Sequence, residues 1–180
     1  MMVEFEEVFR LGSIKRWHMV PCTREQTVGE HTFNVMLLVT EMTKHFDTGP
    51  ITAAAFLRAF THDFDECIFG DMAPPAKREF GIKEEPTSVI GWPRQFESFD
   101  INESDNELSM LIVKAADQAE ALRFLVEYGT GEYAKKVKSS QTKRLVQTMS
   151  DIQRYLPKVD YSPVRDTIRK FVNTPGHPII

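Results

Sequence analysis

Four residues carry chemistry in positions where polar groups are expensive. His31 lies in the stretch Val28 to Phe46, where Val28, Phe33, Val35, Met36, Leu38, Val39 and Met42 recur at helical spacing. His62 and Asp63 follow directly on the apolar run Ile51 to Phe60. Asp117 interrupts the strongest apolar helix pattern of the chain, between Ala116 and Ala119. Burying such groups costs several kcal/mol unless they are paired or bind a metal. Two imidazoles and two carboxylates make a mixed nitrogen–oxygen donor set, suited to a divalent ion such as Zn, Mn, Co, Ni or Fe. Each residue also has a plainer reading. A lone His in a helix is most often a satisfied core or surface residue, and Asp63 can pair with Arg58 or cap a helix.

The elements that would position these residues are helical. Phe5 to Leu11 has helical spacing and is interrupted by Gly12-Ser13. The long helix from Val28 starts with Thr27 as a cap and Glu30 three residues on, the pattern of a capping box. Gly49-Pro50 marks a turn before Ile51 to Phe60, a short and almost wholly apolar helix that reads as a central, buried element. Gly70 to Pro75 is a loop, and Gly81 to Asp100, with Pro86, Gly91 and Pro93, reads as a long irregular connection. Glu103 to Glu127 is the best helix, with Leu108, Leu111, Ile112, Ala115, Ala119, Leu122 and Leu125 on its core face and Gly129 and Gly131 at its end. Val137 to Leu156, stopped by Pro157, and Pro163 to Phe171 complete the set. No strand alternation or internal repeat stands out, so an all-α fold in one domain spanning residues 1–180 is expected.

Composition narrows the class. The 180 residues are 42% hydrophobic and 27% charged, enough apolar content for one sizeable core. Net charge is only -4, with 22 basic against 26 acidic residues and no basic block, so a nucleic-acid duplex is a poor partner. A small anion needs only a few placed cations. The two cysteines, Cys22 and Cys67, make no disulfide framework and suit a reducing, cytoplasmic compartment. The acidic start Met1-Met2-Val3-Glu4-Phe5-Glu6-Glu7 does not read as a signal peptide, so none is expected, and no apolar stretch reaches membrane-spanning length.

Glu30-His31, His62-Asp63 and Lys114-Ala115-Ala116-Asp117, in that order, resemble the signature of the HD-domain phosphohydrolases. The likeness is closer to the small nucleotide-hydrolysing branch, which includes bacterial 5'-deoxynucleotidases and phage dATP triphosphohydrolases. Arg16-Trp17 is similar to that branch's early Arg-Trp, Glu66 to its catalytic Glu, and Gly70-Asp71, Pro74-Pro75 and Lys77 to its Gly-Asp, Pro and Lys. These pieces run in order from about residue 12 to residue 128. Met72-Ala73-Pro74-Pro75 departs from the Gly-Asp-Leu-Pro-Thr-Pro loop of the monophosphatases, and the chain is nearer in size to the phage triphosphohydrolases.

The resemblance implies an HD-domain helical bundle and a mechanism. His31, His62, Asp63 and Asp117 would hold one divalent ion, with a further Mg-like ion able to accompany the phosphates. Glu66 would orient or deprotonate water, or protonate the leaving oxygen, and in a continuing helix it shares a face with His62 and Asp63. Its plainer reading is a surface carboxylate. Asp71 would be a second catalytic carboxylate, or simply a turn former or cap. Arg16, Lys77 and Lys114 would bind phosphate oxygens, though each alone reads as a solvated charge. Trp17 would pack on the sugar and crowd a 2'-hydroxyl, or merely fill space. Met19, Pro75 and His18 would line the base pocket. The implied substrate is a small deoxynucleotide. dATP cleaved to deoxynucleoside and triphosphate leads, and a dNMP cleaved to deoxynucleoside and phosphate is the alternative. A homo-oligomer, dimer or hexamer, and cytoplasmic residence in a cell or a phage host are also expected. A non-enzymatic helical scaffold is the competing class.

Overall fold

Two alanine-rich helix faces determine how the molecule closes. Helix α3 (Gly49–Thr61) buries Ala54, Ala55 and Ala59, and helix α6 (Glu103–Tyr128) buries Ala115, Ala116 and Ala119, each at no more than 1% exposure. Small side chains at a helix contact let the axes approach to the near end of the usual 8–10 Å spacing. The C-terminus of α3, where His62 and Asp63 follow, is thereby drawn against the middle of α6, where Asp117 sits. The computed structural model describes residues 2–44, 49–81, 88–89, 103–155 and 161–173.

The described residues form an all-helical bundle. Short helix α1 (Phe5–Val8) runs into a 3-10 turn (Phe9–Gly12), followed after a loop by α2 (Val28–Thr43). After α3 come the four-residue α4 (Glu66–Phe69) and the six-residue α5 (Pro74–Glu79). Helices α6, α7 (Gly131–Tyr155) and α8 (Ser162–Val172) complete the bundle, with α6 packed on α2, α3, α7 and α8. Leu122, Ile112, Leu145, Ile152, Ile168 and Met42 are fully enclosed between them. Each such side chain stabilises the fold by about 1.5–3 kcal/mol relative to exposure. The strand pairing among the described residues is two residues long, Met2–Val3 in parallel with Ser88–Val89.

Most helices match their sequence signals, with informative differences. Helix α7 begins at Gly131, six residues before the apolar pattern that announced it, because its first turns are polar and exposed except for Ala134. Helix α3 is not buried all round, since Phe56 is 39% exposed. The loop from Gly70 is shorter than expected, because Pro74 already opens α5. The connection expected over Gly81 to Asp100 lies outside the described residues apart from Gly81 and Ser88–Val89, as do His45 and His177. No helix among the described residues is long and apolar enough to cross a membrane.

Gly129 marks where the loop before α2 docks on the end of α6. Cys22 bridges to Gly129, Thr23 N–H donates to the Tyr128 carbonyl, and Thr130 N–H donates to the Pro21 carbonyl. A Cβ at Gly129 would stand 2.6 Å from the Leu125 carbonyl oxygen and 3.3 Å from the Ala134 Cβ. Gly129→Ala should therefore destabilise by about 1–3 kcal/mol, seen as a fall of several degrees in Tm. Gly12→Ala, where a Cβ meets nothing within 4 Å, is the matched control and should not show that fall.

Candidate metal centre

The site is assembled at the start of α2, the end of α3 and the middle of α6. Thr27 caps α2, its Oγ1 accepting from Glu30 N–H at 3.1 Å. The reciprocal half of the expected capping box is replaced, because the Glu30 carboxylate takes the Arg24 guanidinium at 2.6 Å. His31 follows in the first turns, wholly buried. Helix α3 stops at Thr61, so His62 and Asp63 stand in a turn and the continuous helix expected through Glu66 is broken. Glu66 N–H then bonds the Asp63 carbonyl and Cys67 N–H the Phe64 carbonyl, a tight turn leading into α4. Phe64, inserted between Phe60 and the small second core of Val3, Leu11, Val28 and Cys67, holds this turn in place.

Both histidines point the same nitrogen inward. His62 Nδ1 lies 2.7 Å from the Ala59 carbonyl oxygen, and His31 Nδ1 lies 2.5 Å from Glu120 Oε2. Acceptors at Nδ1 fix the proton there and leave each Nε2 as the free donor atom. The two Nε2 atoms face each other at 3.4 Å. Asp63 Oδ2 stands 3.2 Å from His62 Nε2 and 3.7 Å from His31 Nε2, and Asp117 Oδ1 stands 3.1 Å from His31 Nε2. One ligand atom from each of His31, His62 and Asp63 falls within 4.8 Å of the others. Two imidazole nitrogens facing one another and ringed by carboxylates form a compact donor cluster. The donor set fits a divalent ion.

Four likenesses to known proteins bear on this arrangement. A family model described as 5'-deoxynucleotidase YfbR-like matches residues 5–85. A dATP triphosphohydrolase of Acinetobacter phage SH-Ab 15497 is 29% identical over 140 residues, 71% of this chain and 68% of that protein. Another dATP triphosphohydrolase, of Salmonella phage PMBT28, is 28% identical over 141 residues, 71% of this chain and 69% of that protein. The structure of the Cyanophage S-2L HD phosphohydrolase DatZ, bound to dA and one catalytic Zn2+ ion, is similar over 94% of both chains, with a TM-score of 0.64 and 26% identity. This chain is an HD-domain-like, metal-binding phosphohydrolase. It is related to the 5'-deoxynucleotidases and to the phage dATP triphosphohydrolases.

The electrostatics of the phosphohydrolase suit a metal-dependent centre. Burial alone would lower the His62 pKa, but the adjacent Asp63 carboxylate, and then Asp117, outweigh it and raise it to about 9. Burial pushes Asp63 upward, yet His62, His31 and Arg16 hold it far below the usual carboxylate range. Asp117, whose side chain is 38% exposed, also lies below the usual range: partial desolvation is opposed by the His31 hydrogen bond and by His31, His62 and Arg16. Carboxylates outnumber the fixed cations here, which leaves room for a divalent charge.

Arg16 brings a largely covered cation to the cluster. Burial works against its charge, but Asp63, Asp117, Glu120 and Asp71 together keep it protonated. Its NH1 lies 3.6 Å from Glu120 Oε2 and has no hydrogen-bond partner. A short antiparallel pairing puts it there: Arg16 N–H donates to the Gln26 carbonyl, and Val28 N–H to the Ile14 carbonyl. Trp17, next in the chain, has a φ of +66°, and its ring stacks on Phe124 at 6.0 Å.

The other sequence candidates divide. Glu66 is 4% exposed, which removes its reading as a surface carboxylate. Burial raises its pKa, Asp63 and Asp71 raise it further, and Lys77 and Arg16 oppose them. Its Oε2 has no hydrogen-bond partner. Lys77 Nζ stands 3.3 Å from Glu66 Oε1 and 3.4 Å from Asp65 Oδ2. Asp71 Oδ2 accepts from the Trp17 amide at 3.2 Å, and the Asp71 carbonyl oxygen lies 2.6 Å from His18 Nε2. Met19 is 68% exposed. Pro75 falls in α5, its side chain outside the described residues. Lys114 is exposed one turn before Asp117 and lines an open groove of about 710 Å³ with Met110, Asp151 and Arg154, apart from the contacts above. Arg58 does not pair with Asp63; its guanidinium donates to Ser109 and Asn106.

Glu120 went unmarked in the sequence. It follows Asp117 by three residues and so shares its helix face, which was the available signal. Gln26, just before the cap of α2, had none.

Proposed function

We propose that this phosphohydrolase cleaves 2'-deoxynucleotides at the 5' phosphoester, with dATP as substrate and deoxyadenosine and triphosphate as products. The observation that carries the reading is Arg16: a largely covered guanidinium with an NH1 lacking any hydrogen-bond partner, set between the candidate metal ligands and Trp17. A phosphate oxygen is the partner such a fork is shaped for. The phage relatives are named dATP triphosphohydrolases, and the cyanophage structure is bound to dA and one catalytic Zn2+ ion. The match to a 5'-deoxynucleotidase family over residues 5–85 favours a second reading, release of orthophosphate from deoxynucleoside monophosphates.

His31, His62, Asp63 and Asp117 are the proposed ligands of one divalent ion, Zn, Co, Mn, Ni or Fe. Such an ion supplies Lewis-acid polarisation of phosphoryl oxygens and a more acidic water. The chain's own groups then do the following. Arg16 grips the phosphoryl group and turns it toward the ligand cluster. Lys77 meets the remaining phosphate oxygens, swinging from its carboxylate partners. Water adds to phosphorus as the bond to the 5' oxygen breaks, and that oxygen leaves with a proton. Glu66, buried with a free Oε2, holds or passes this proton. Asp71 is the second carboxylate, its charge bearing on both Arg16 and Glu66 while one oxygen clamps Trp17. Met19, exposed beside Trp17 and His18, is the proposed neighbour of the base.

Trp17 is proposed as the wall against the sugar. Trp17→Ala should lower the ratio of dATP to ATP turnover by about tenfold or more, chiefly by admitting the 2'-hydroxyl. Equal kcat/KM ratios in variant and native protein would remove Trp17 from sugar selection.

Products separate the two readings. Protein loaded with Co2+ is given dAMP, dATP and their ribonucleotide and pyrimidine counterparts, and the products are resolved by anion-exchange chromatography. Deoxyadenosine with intact triphosphate is expected. Orthophosphate from monophosphates alone would transfer the chain to the deoxynucleotidase reading, and no turnover of any nucleotide would overturn both.

A further inference from the structure

Glu120 is 3% exposed, and neither of its oxygens is idle. Oε2 faces His31 Nδ1 at 2.5 Å. Oε1 accepts from Gln26 Nε2 at 2.6 Å and from Asn34 Nδ2 at 3.1 Å. Gln26, 1% exposed, presents its Oε1 to the Trp17 indole N–H at 2.8 Å. The chain of contacts has one consistent direction. A carboxylate only accepts and an indole N–H only donates, so the amide between them must turn its NH2 to Glu120 and its oxygen to Trp17. No flipped Gln26 satisfies both neighbours.

The tie has something to hold. A bulky residue at φ +66° sits in the left-handed region that such side chains avoid. Strain of this kind persists only where surrounding contacts over-determine it. Trp17 is fixed by its amide on Asp71, its ring on Phe124 and its indole N–H on Gln26.

We propose that Glu120 and Gln26 are positioning residues that anchor two parts of the site to one buried carboxylate. Through Oε2, Glu120 sets the ring of the ligand histidine His31. Through Oε1 and Gln26, it sets the Trp17 indole. The metal centre and the wall beside it are thus held in register by a single side chain. The sugar-facing part of this statement rests on the deoxynucleotide reading above; the metal-facing part does not.

Two variants test it without substrate, with Zn2+ alone as the metal probe. Zn2+ affinity is measured by competition with a chromophoric chelator, and the Trp17 indole N–H is followed in nitrogen-15 spectra, assigned by its loss in Trp17→Phe. Glu120→Gln should weaken Zn2+ binding by about 10–100-fold, the usual effect of losing the carboxylate behind a ligating imidazole. Gln26→Leu should leave Zn2+ affinity within about threefold, since it spares the His31 contact, a net hydrogen bond elsewhere being worth about 1 kcal/mol. It should shift the indole N–H and speed its exchange with solvent. With nucleotides added, it should also narrow the dATP to ATP ratio. An unchanged indole signal in Gln26→Leu, or native Zn2+ affinity in folded Glu120→Gln, overturns the proposal. If Glu120→Gln fails to fold, Glu120→Asp, which keeps the charge but draws it back from His31 Nδ1, takes its place in the Zn2+ measurement and should weaken binding likewise. If Zn2+ affinity and the indole respond as stated but no deoxynucleotide is turned over, the anchor stands and the substrate reading falls.

Discussion

Asp63→Asn is expected to abolish turnover while leaving the fold intact. The substitution keeps the shape of the side chain and removes one charge. That charge bears on His62, His31 and Arg16 at once, and Oδ2 lies within 3.7 Å of both imidazole Nε2 atoms. If Asp63 is a metal ligand, its loss removes several kcal/mol of charge stabilisation at phosphorus. This corresponds to a fall in kcat of about a thousandfold or more. Circular dichroism should show native helix content, because the α3–α6 contact is made by alanines and does not involve Asp63. Kinetics at saturating metal check the result; a variant retaining a tenth of native turnover would remove Asp63 from the centre.

Arg16→Lys should lower kcat/KM by about 10–100-fold, the scale of losing a charge-assisted bidentate contact worth about 1.5–3 kcal/mol. Lysine keeps the positive charge that Asp63, Asp117, Glu120 and Asp71 surround, so the cluster stays balanced. It loses the planar fork and the packing of the guanidinium over the Trp17 ring at 5.3 Å. Tm should move by only a few degrees. A large fall in Tm with little change in kcat/KM would make Arg16 a structural counter-ion instead of a phosphate group holder.

What was readable in the sequence depended on how local each signal was. Helices α2, α3 and α6 were legible because their apolar residues repeat at helical spacing over more than ten positions. The start of α7 was not, because residues Gly131 to Lys136 are mostly polar and their helix rests on tertiary contact through Ala134. His31, His62, Asp63 and Asp117 stood out as polar residues in apolar surroundings, but their convergence depends on how α2, α3 and α6 cross, which no spacing encodes. Arg16 gave no hint of burial: its position follows from the Ile14–Arg16 pairing with Gln26–Val28, a contact between loop segments. Glu66 illustrates the opposite error of emphasis. Its helical relation to Asp63 was anticipated through a continuous helix, whereas a turn at His62 to Asp65 brings it inward. Glu120 was overlooked because a carboxylate on a long helix ordinarily faces solvent. Only the packed structure shows it beneath His31, Gln26 and Asn34.

Four side chains from three regions of the bundle, His31, His62, Asp63 and Asp117, are proposed to hold one divalent ion. Metal content after chelation, dialysis and reloading with Zn2+ tests it most directly. Native protein, His31→Ala, His62→Ala and Asp117→Ala are dialysed against limiting free Zn2+ and analysed by mass spectrometry of the metal. One tightly held ion per chain is predicted for the native protein, with each substitution reducing it sharply. Native protein that retains no ion, or variants that all retain it, would rule out a metal centre built from these four residues.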